Sequence, residues 1–393
     1  MDRDVVVLSG VRTAVGRYGG ALKDTPLTDL ASAVVREAVE RSGVAPADFG
    51  HVVFGNVIHT DLRDMYLARV AAINGGLPVE TPAFTLNRLC GSGLQAIVSA
   101  AQVIALGDAD LAVAGGAESM SRGQYWLPGA RWGERIGDGV VRDAMVGALT
   151  DPFDDCHMGV TAENVAAKWG VTREQQDALA LQSHQRAARA IASGYFKEQI
   201  VPVDVSTRKE TKVFDTDEHV RTDASLEQLG GLRPVFDRNG TVTAGNAAGI
   251  NDAAAAVVLA EREEAERRGL APLGRLVAYG FAGVEPRYMG VGPVAAVRAA
   301  LGRAGLAVAD MDVIELNEAF AAQALAVMED LELPPERTNP NGSGISLGHP
   351  IGATGCILAV KALYELERVG GRHALVTMCI GGGQGIAAIF ARA

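Results

Sequence analysis

The stretch Asn87-Arg88-Leu89-Cys90-Gly91-Ser92-Gly93-Leu94 joins an apolar lead-in to a glycine-rich turn, and a helical pattern then runs from Leu94 to Leu106. A turn of this kind places the Cys90 sulfur at a helix N-terminus. Unpaired N–H groups and the positive end of the helix dipole favour a thiolate there, and the thiolate is the nucleophilic form. Glycines on both sides of Ser92 would let a substrate carbonyl approach the backbone closely. The chain therefore reads as built around an activated cysteine.

Two other turns supply what such a cysteine needs. The segment from Asn341-Gly342-Ser343-Gly344 to Gly348-His349-Pro350-Ile351-Gly352 carries His349 in a second glycine-rich turn, again followed by a helical pattern, from Thr354 to Arg368. Near the C-terminus, Ala374-Leu375-Val376-Thr377-Met378-Cys379-Ile380 reads as a buried strand that ends in Cys379 and the cluster Gly381-Gly382-Gly383. A single cysteine is usually a small buried hydrophobe, and a single histidine is usually a satisfied core group. Three such residues, each at the end of an element and each beside a glycine turn, instead point to a nucleophile, a base and a second thiol.

Strand signals from Val5 to Ser9, Val52 to Gly55 and Ala109 to Gly115 interleave with helical patterns from Leu27 to Ser42 and Cys90 to Leu106. The order returns later: strand from Arg275 to Gly280, helix from Gly292 to Ala304, strand from Val313 to Leu316, the helix after His349, and the strand at 374–380. This predicts an α/β fold made by internal duplication, its helices packed on largely buried sheets. Residues 1–119 form the first half, completed by about 250–270, and residues 271–393 the second. Between them, residues 120–249 turn Arg-, Asp-, Gln- and Trp-rich and keep one strong helical pair, from Val160 to Lys168 and from Arg173 to Ser193. Thr172 starts the second of these helices and Gly194 stops it. A long insertion with few core residues is a lid or binding region rather than scaffold.

With 393 residues, 48% hydrophobic and 21% charged, the chain is globular. Apolar runs such as Ala253 to Ala260 are too short to span a bilayer, and Met1-Asp2-Arg3-Asp4 leads straight into Val5-Val6-Val7-Leu8 without a signal-peptide pattern. Cys90, Cys156, Cys356 and Cys379 show no ligand-like spacing, so neither a zinc site nor a disulfide framework is expected. These features predict a cytoplasmic enzyme with reduced thiols, no metal and no membrane segment. The net charge of −11 excludes a general nucleic-acid binder. A polyanionic ligand would need a local basic patch; Arg208, Lys209, Lys212, Arg221, Arg233 and Arg238 are the candidates, with ordinary solvated loop surface as the plain alternative.

Four motifs, in this order, resemble those of the thiolases of the biosynthetic type, acetyl-CoA acetyltransferases or β-ketothiolases: Asn87 to Gly93, Asn317-Glu318-Ala319-Phe320, Gly348 to Gly352 and Cys379 to Gly383. The likeness runs from Val5 to Phe390. It implies two similar α/β halves forming a layered αβαβα core, with a loop domain inserted in the first half. It also implies an acyl-CoA C-acyltransferase that runs a reversible Claisen condensation of acetyl-CoA with an acyl-CoA, making or thiolysing acetoacetyl-CoA or a short-chain 3-ketoacyl-CoA. Cys90 would take the acyl group once His349 removes its proton; thioester exchange costs little, so the acyl-enzyme stays reactive. Cys379 would then abstract an α-proton from a second acetyl-CoA. The enolate oxygen would be held by His349 and a water on Asn317, and the N–H groups of Cys90 and Gly381 would hold the oxygen of the tetrahedral intermediate.

The resemblance further assigns Leu149, His157, Met158, Phe236, Ala244 and Phe320 to the pantetheine tunnel and Arg221 to the CoA nucleotide. Ala248 stands where the family often carries a serine facing pantetheine. Coenzyme A and acyl-CoA are then substrates, and no cofactor is tightly bound. Glu318 is a tempting base, although a carboxylate near a strand end is commonly structural; Cys156 and Cys356 read as packing residues. A homotetramer, a dimer of dimers, is implied, with the aromatics of Gln124 to Pro128 and Arg131-Trp132 at an interface. Three other readings stay open. A decarboxylating ketosynthase-like enzyme needs no second thiol, so Cys379 speaks against it. An inactive acyl-CoA-binding protein is disfavoured by the intact Cys90, Asn317, His349 and Cys379. A degradative 3-ketoacyl-CoA thiolase of broader chain length would carry the same catalytic set.

Overall fold

The computed structural model describes residues 3–206 and 210–393. Its main sheet is built from β1 (Val5–Thr13), β2 (His51–Gly55), β3 (Ala83–Leu86), β4 (Leu111–Ser119), β5 (Asn251–Glu261), β6 (Gly274–Gly283), β7 (Val313–Leu316), β8 (His373–Ile380) and β9 (Gln384–Arg392), in the order β7-β8-β9-β6-β1-β5-β4-β2-β3. In the first half β2 and β4 pair in parallel, while β4 with β5 and β5 with β1 are antiparallel. The second half repeats this: β7 and β8 are parallel, β8 with β9 and β9 with β6 antiparallel. The two halves touch through β1 and β6 only at Val6 opposite Arg275 and Val7 opposite Gly274. The duplication is therefore one of topology over four strands in each half, with β3 an extra edge strand that only the first half carries.

The helices that matter for the site are α1 (Leu27–Ser42), α2 (Leu67–Asn74), α3 (Ser92–Leu106), α4 (Met158–Trp169), α5 (Arg173–Ala192), α6 (Gly292–Ala304), α7 (Ala321–Asp330) and α8 (Ile351–Arg368). α1 and α2 cover the outer face of the first half, and α6 and α7 that of the second. α3 and α8 pack together between the halves, and α8 touches β4 and β5 on one side and β7 and β8 on the other. The layers are α, β, α, β, α.

That middle layer corrects one sequence expectation. The segment Leu89–Leu106 is in fact long and apolar enough to cross a membrane. In the fold it is a core helix, with Leu94, Ile97 and Ile104 fully buried among α8 and the strands. Two glycines let the helices approach: a Cβ on Gly93 would lie 2.7 Å from the backbone N of Cys356, and one on Gly355 would collide with the backbone of Leu94.

β5 and β9 escaped the sequence reading. Both are buried on both faces over nearly their whole length, so they lack the alternation that marks a half-exposed strand. The helix at 173–192 begins as expected: Thr172 Oγ1 accepts from Gln175 N at 3.3 Å and Gln175 Oε1 accepts from Thr172 N at 2.8 Å, a reciprocal cap. Gly194 stops it with φ +73°.

Candidate active site

Cys90 sits one residue outside the first turn of α3, whose cap is Gly91. The approach is tightly wired. Leu89 adopts φ +45°, a conformation costly for a leucine, with its N–H on Asn87 Oδ1 at 2.8 Å. Ser92 Oγ accepts from Arg88 N at 2.8 Å and donates to the Leu89 carbonyl at 2.7 Å. The residue as a whole is half-buried, packed against the cluster of Ile58, Met120, Ala144 and Ile351. Burial pushes the Cys90 thiol up to about 11; the N–H of Gly381 and its own N–H offset part of this, and the nearby Glu118 carboxylate adds to it. The helix terminus thus does not by itself produce the thiolate expected from the sequence, because the cost of desolvating the charge exceeds what the N–H groups return. Cys90 rests as a thiol and requires a base.

The glycines around it also have a different task from the one expected. A Cβ on Gly91 would lie 2.6 Å from Ile380 Cδ1, and Gly93 faces the backbone of α8. Both serve packing of protein against protein rather than approach of a substrate. Gly381, by contrast, lines the cavity.

His349 follows Gly348, whose φ of +105° only glycine adopts readily. Its N–H donates to Asn251 Oδ1 at 3.0 Å. Its Nδ1 lies 2.7 Å from Thr354 Oγ1, and that hydroxyl gives its single proton to the Pro350 carbonyl at 2.9 Å. Thr354 can therefore only accept from the ring, so Nδ1 carries the hydrogen and Nε2 the lone pair. Burial holds the imidazole down to about 4, so it is neutral at physiological pH. Nε2 faces Asn317 Nδ2 at 3.4 Å. Asn317 Oδ1 is buried without a hydrogen-bond partner among the described residues, a free acceptor beside the base.

Cys379 is the penultimate residue of β8, buried in a cluster with Met158, Met289, Ala319 and Phe320. Burial, and then the neighbouring Cys90, push its thiol far above the usual range. A proton acceptor of that strength suits a weakly acidic C–H.

These groups open on one cavity of about 580 Å³. Cys90, His349, Cys379 and Gly381 all line it, and Asn317, hydrogen-bonded to His349 Nε2, does not reach its wall. Leu149, Met158, Phe236, Ala244, Ala248 and Phe320 line the same cavity, together with His157 and Arg221. His157 is wall rather than catalyst: its ring stacks on Phe236 at 4.6 Å, its Nδ1 accepts from Gly159 N at 3.0 Å to cap α4, and burial lowers its pKa. Phe320 meets Phe236 edge-on at 6.4 Å.

Sequence reasoning missed Arg17, Tyr18, His219, Met289 and Ile351, which also line the cavity. No local signal marks Arg17, Tyr18 or His219; Ile351 lay inside a quoted motif.

Of the basic candidates among the described residues, only Arg221 lines the cavity. Lys212 pairs with Glu210 at 2.8 Å, and Arg233 and Arg238 are not part of the wall. Arg208 and Lys209 lie outside the described residues. Glu318 is a tie: it accepts from Ser183 Oγ at 2.6 Å and Asn339 Nδ2 at 2.9 Å, away from the cavity. Cys156 and Cys356 do not reach the cavity either, all four cysteines are free, and the described residues hold no group of three metal-ligating side chains.

The duplicated five-layer α/β scaffold that carries this apolar cavity is the fold of the thiolases. The chain belongs to the thiolase family: residues 5–263 match the model for the thiolase N-terminal domain and residues 270–392 that for the thiolase C-terminal domain. It is similar to Beta-ketothiolase BktB of Cupriavidus necator, 66% identical over 393 residues and covering 100% of both chains. Among solved structures it is similar to the acetyl-CoA acetyltransferase of Bacillus anthracis, at TM-score 0.98 and 45% identity, covering 100% of this chain and 99% of that one. It also resembles human mitochondrial 3-ketoacyl-CoA thiolase in complex with CoA, at TM-score 0.96 and 44% identity, covering 100% and 98%.

Proposed function

We propose that the protein is an acyl-CoA C-acyltransferase of the β-ketothiolase type, which forms and thiolyses acetoacetyl-CoA and short-chain 3-ketoacyl-CoA through an acyl-enzyme on Cys90. The observation that carries this is that Cys90, Cys379 and His349, with its Nε2 unprotonated, line one apolar cavity. A decarboxylating enzyme has no use for Cys379.

The chemistry follows from the protonation states. His349 Nε2 takes the Cys90 proton as the sulfur attacks the thioester carbonyl, whose oxygen gathers charge at the N–H groups of Cys90 and Gly381. Cys379 protonates the departing CoA sulfur and is left as a thiolate. That thiolate removes the α-proton of acetyl-CoA, and the enolate oxygen is held by the proton now on His349 Nε2 and a water on Asn317. The enolate carbon attacks the acyl group, Cys90 leaves as thiolate and recovers its proton from His349. Coenzyme A and acyl-CoA are substrates, and no tightly bound cofactor takes part.

Residues 120–249 act as the insert that covers the substrate, residues 1–119 with about 250–270 as the first half, and 271–393 as the second. The enzyme works in the cytoplasm, a reading supported by its four free cysteines. It assembles as a homotetramer, a dimer of dimers, through the insert, where Tyr125, Trp126, Leu127, Trp132 and Ile136 are exposed. Light scattering should give four chains, and a stable monomer at micromolar concentration would remove this assignment.

The two thiols test the mechanism. Cys90→Ala should abolish covalent acetyl capture from acetyl-CoA, read by intact mass. Cys379→Ala should keep the capture while condensation and thiolysis fall by at least about 10²–10⁴. Acetyl retained on the Cys90→Ala protein and absent from Cys379→Ala would reverse the roles.

A further inference from the structure

We propose that Arg17 is a second phosphate-binding arm at the cavity, acting with Arg221 on the phosphates of the CoA nucleotide; this rests on the CoA-thioester reading above. The cavity wall carries two arginines, Arg17 and Arg221, and no Asp or Glu among the described residues. In a chain of net charge −11 that is a local reversal of the overall field, and a polyanionic ligand requires one.

One strap places both arginines. Asp217, fully buried, accepts from Arg12 Nη1 at 2.7 Å, Arg12 Nη2 at 2.9 Å and Val15 N at 2.8 Å. The next residue, Glu218, donates its own N–H to the Val15 carbonyl at 2.9 Å. Its carboxylate accepts from the N–H groups of Arg17 and Ala21 at 3.1 Å each, and lies 3.3 Å from Arg17 Nε. His219 and Arg221, further along the same strap, line the cavity, and the Arg221 N–H donates to His184 Nδ1 at 3.1 Å. From the other side, Gly16–Arg17 pairs as a short strand with Asn251 and Asp252 at the start of β5. Asn251 Nδ2 donates to the Gly16 carbonyl at 3.0 Å, while its Oδ1 holds the N–H of His349. Arg17 is thus tied by its backbone to the segment that fixes the base.

Its guanidinium is oriented but not used up. Glu218 engages Nε, neither Nη group has a hydrogen-bond partner among the described residues, and the side chain is 66% exposed. An exposed pair of this kind is weak in itself. A guanidinium held on one edge loses little freedom when a phosphate takes the other, and its planar fork suits that partner.

The test is calorimetric binding of CoA, dephospho-CoA and pantetheine to the full-length protein. Arg17→Gln should weaken CoA binding about tenfold, the loss of a charge-assisted contact at an exposed site, and leave pantetheine binding unchanged. Arg17→Glu should weaken CoA further, and Arg298→Gln, the same charge change on α6, should do nothing. A dephospho-CoA affinity that no longer responds to Arg17 places the contact on the 3′-phosphate, and one that still responds places it on the diphosphate. With acetoacetyl-CoA, KM should rise while kcat is retained. The proposal is overturned if Arg17→Gln binds CoA like the parent, if it loses pantetheine equally, or if Arg298→Gln matches it. Arg17-dependent CoA binding by a protein that forms no acyl-enzyme would leave this arm standing and remove the catalytic reading; acyl-enzyme formation with CoA affinity indifferent to Arg17 would do the reverse.

Discussion

Thr354 Oγ1 lies 2.7 Å from Nδ1 of His349 and gives its own proton to the Pro350 carbonyl, so a single hydroxyl decides which imidazole nitrogen is free to act. Thr354→Val keeps the shape and removes the acceptor. The Nδ1 hydrogen is then buried without a partner, at about 1–3 kcal/mol, and the ring is released to the other tautomer or a turned rotamer. Expected is a fall in kcat of about 10–100-fold with little change in KM, restored by Thr354→Ser. A valine variant with full turnover would show that the tautomer is set elsewhere.

The acid limb of Cys90 acetylation should lie near pH 4 rather than near 6.5. His349 titrates at about 4 because burial disfavours its cation, so Nε2 keeps its lone pair until the pH falls to that value. Quenched-flow mass spectrometry of the acetyl-enzyme between pH 4 and 8 reads this directly. In the absence of substrate, alkylation of Cys90 by iodoacetamide should climb steadily from pH 7 to 10 without levelling, since its thiol sits at about 11. A plateau by pH 8 would mean that the resting residue is a thiolate after all.

The α3–α8 crossing is a steric contact, and two alanine substitutions separate it from helix propensity. Gly93→Ala puts a methyl against the backbone of α8, within 2.7 Å of Cys356 N, and should cost about 1–3 kcal/mol. Gly302→Ala, in α6 with nothing within 4 Å of its new Cβ, should be neutral or stabilising by up to about 1 kcal/mol. Urea denaturation of both variants gives the comparison; equal effects would contradict the packing account.

Ala248 lines the cavity and donates its N–H to the Ala319 carbonyl at 2.9 Å, so a hydroxyl added to its Cβ starts from a fixed backbone. Ala248→Ser should lower KM for acetoacetyl-CoA by about 2–10-fold, the range of one neutral hydrogen bond, with kcat unchanged. An unchanged or higher KM would count against a contact to the substrate at this position.

Local chemistry alone marks the three glycine turns, the element ends that carry Cys90, His349 and Cys379, and the helices at 27–42, 173–192 and 292–304. Each of those helices announces itself through apolar spacing, a cap or a following glycine, all of which act within a few residues. Tertiary packing decided the rest. β5 and β9 became strands because both faces are covered, which erases the alternation a reader would look for. Gly91 and Gly93 are glycines because Ile380 and α8 approach them, a fact about neighbours far away in the chain. The protonation of the site is tertiary as well: the dipole at α3 favours a thiolate, but enclosure of the sulfur by Ile58, Met120 and Ile351 reverses that preference. Arg17 reaches the cavity through Glu218 and Asp217, whose own position depends on a buried arginine on β1. Periodicity and turn chemistry reach a few residues; desolvation and steric contact belong to whatever the fold brings together, so only the folded chain states them.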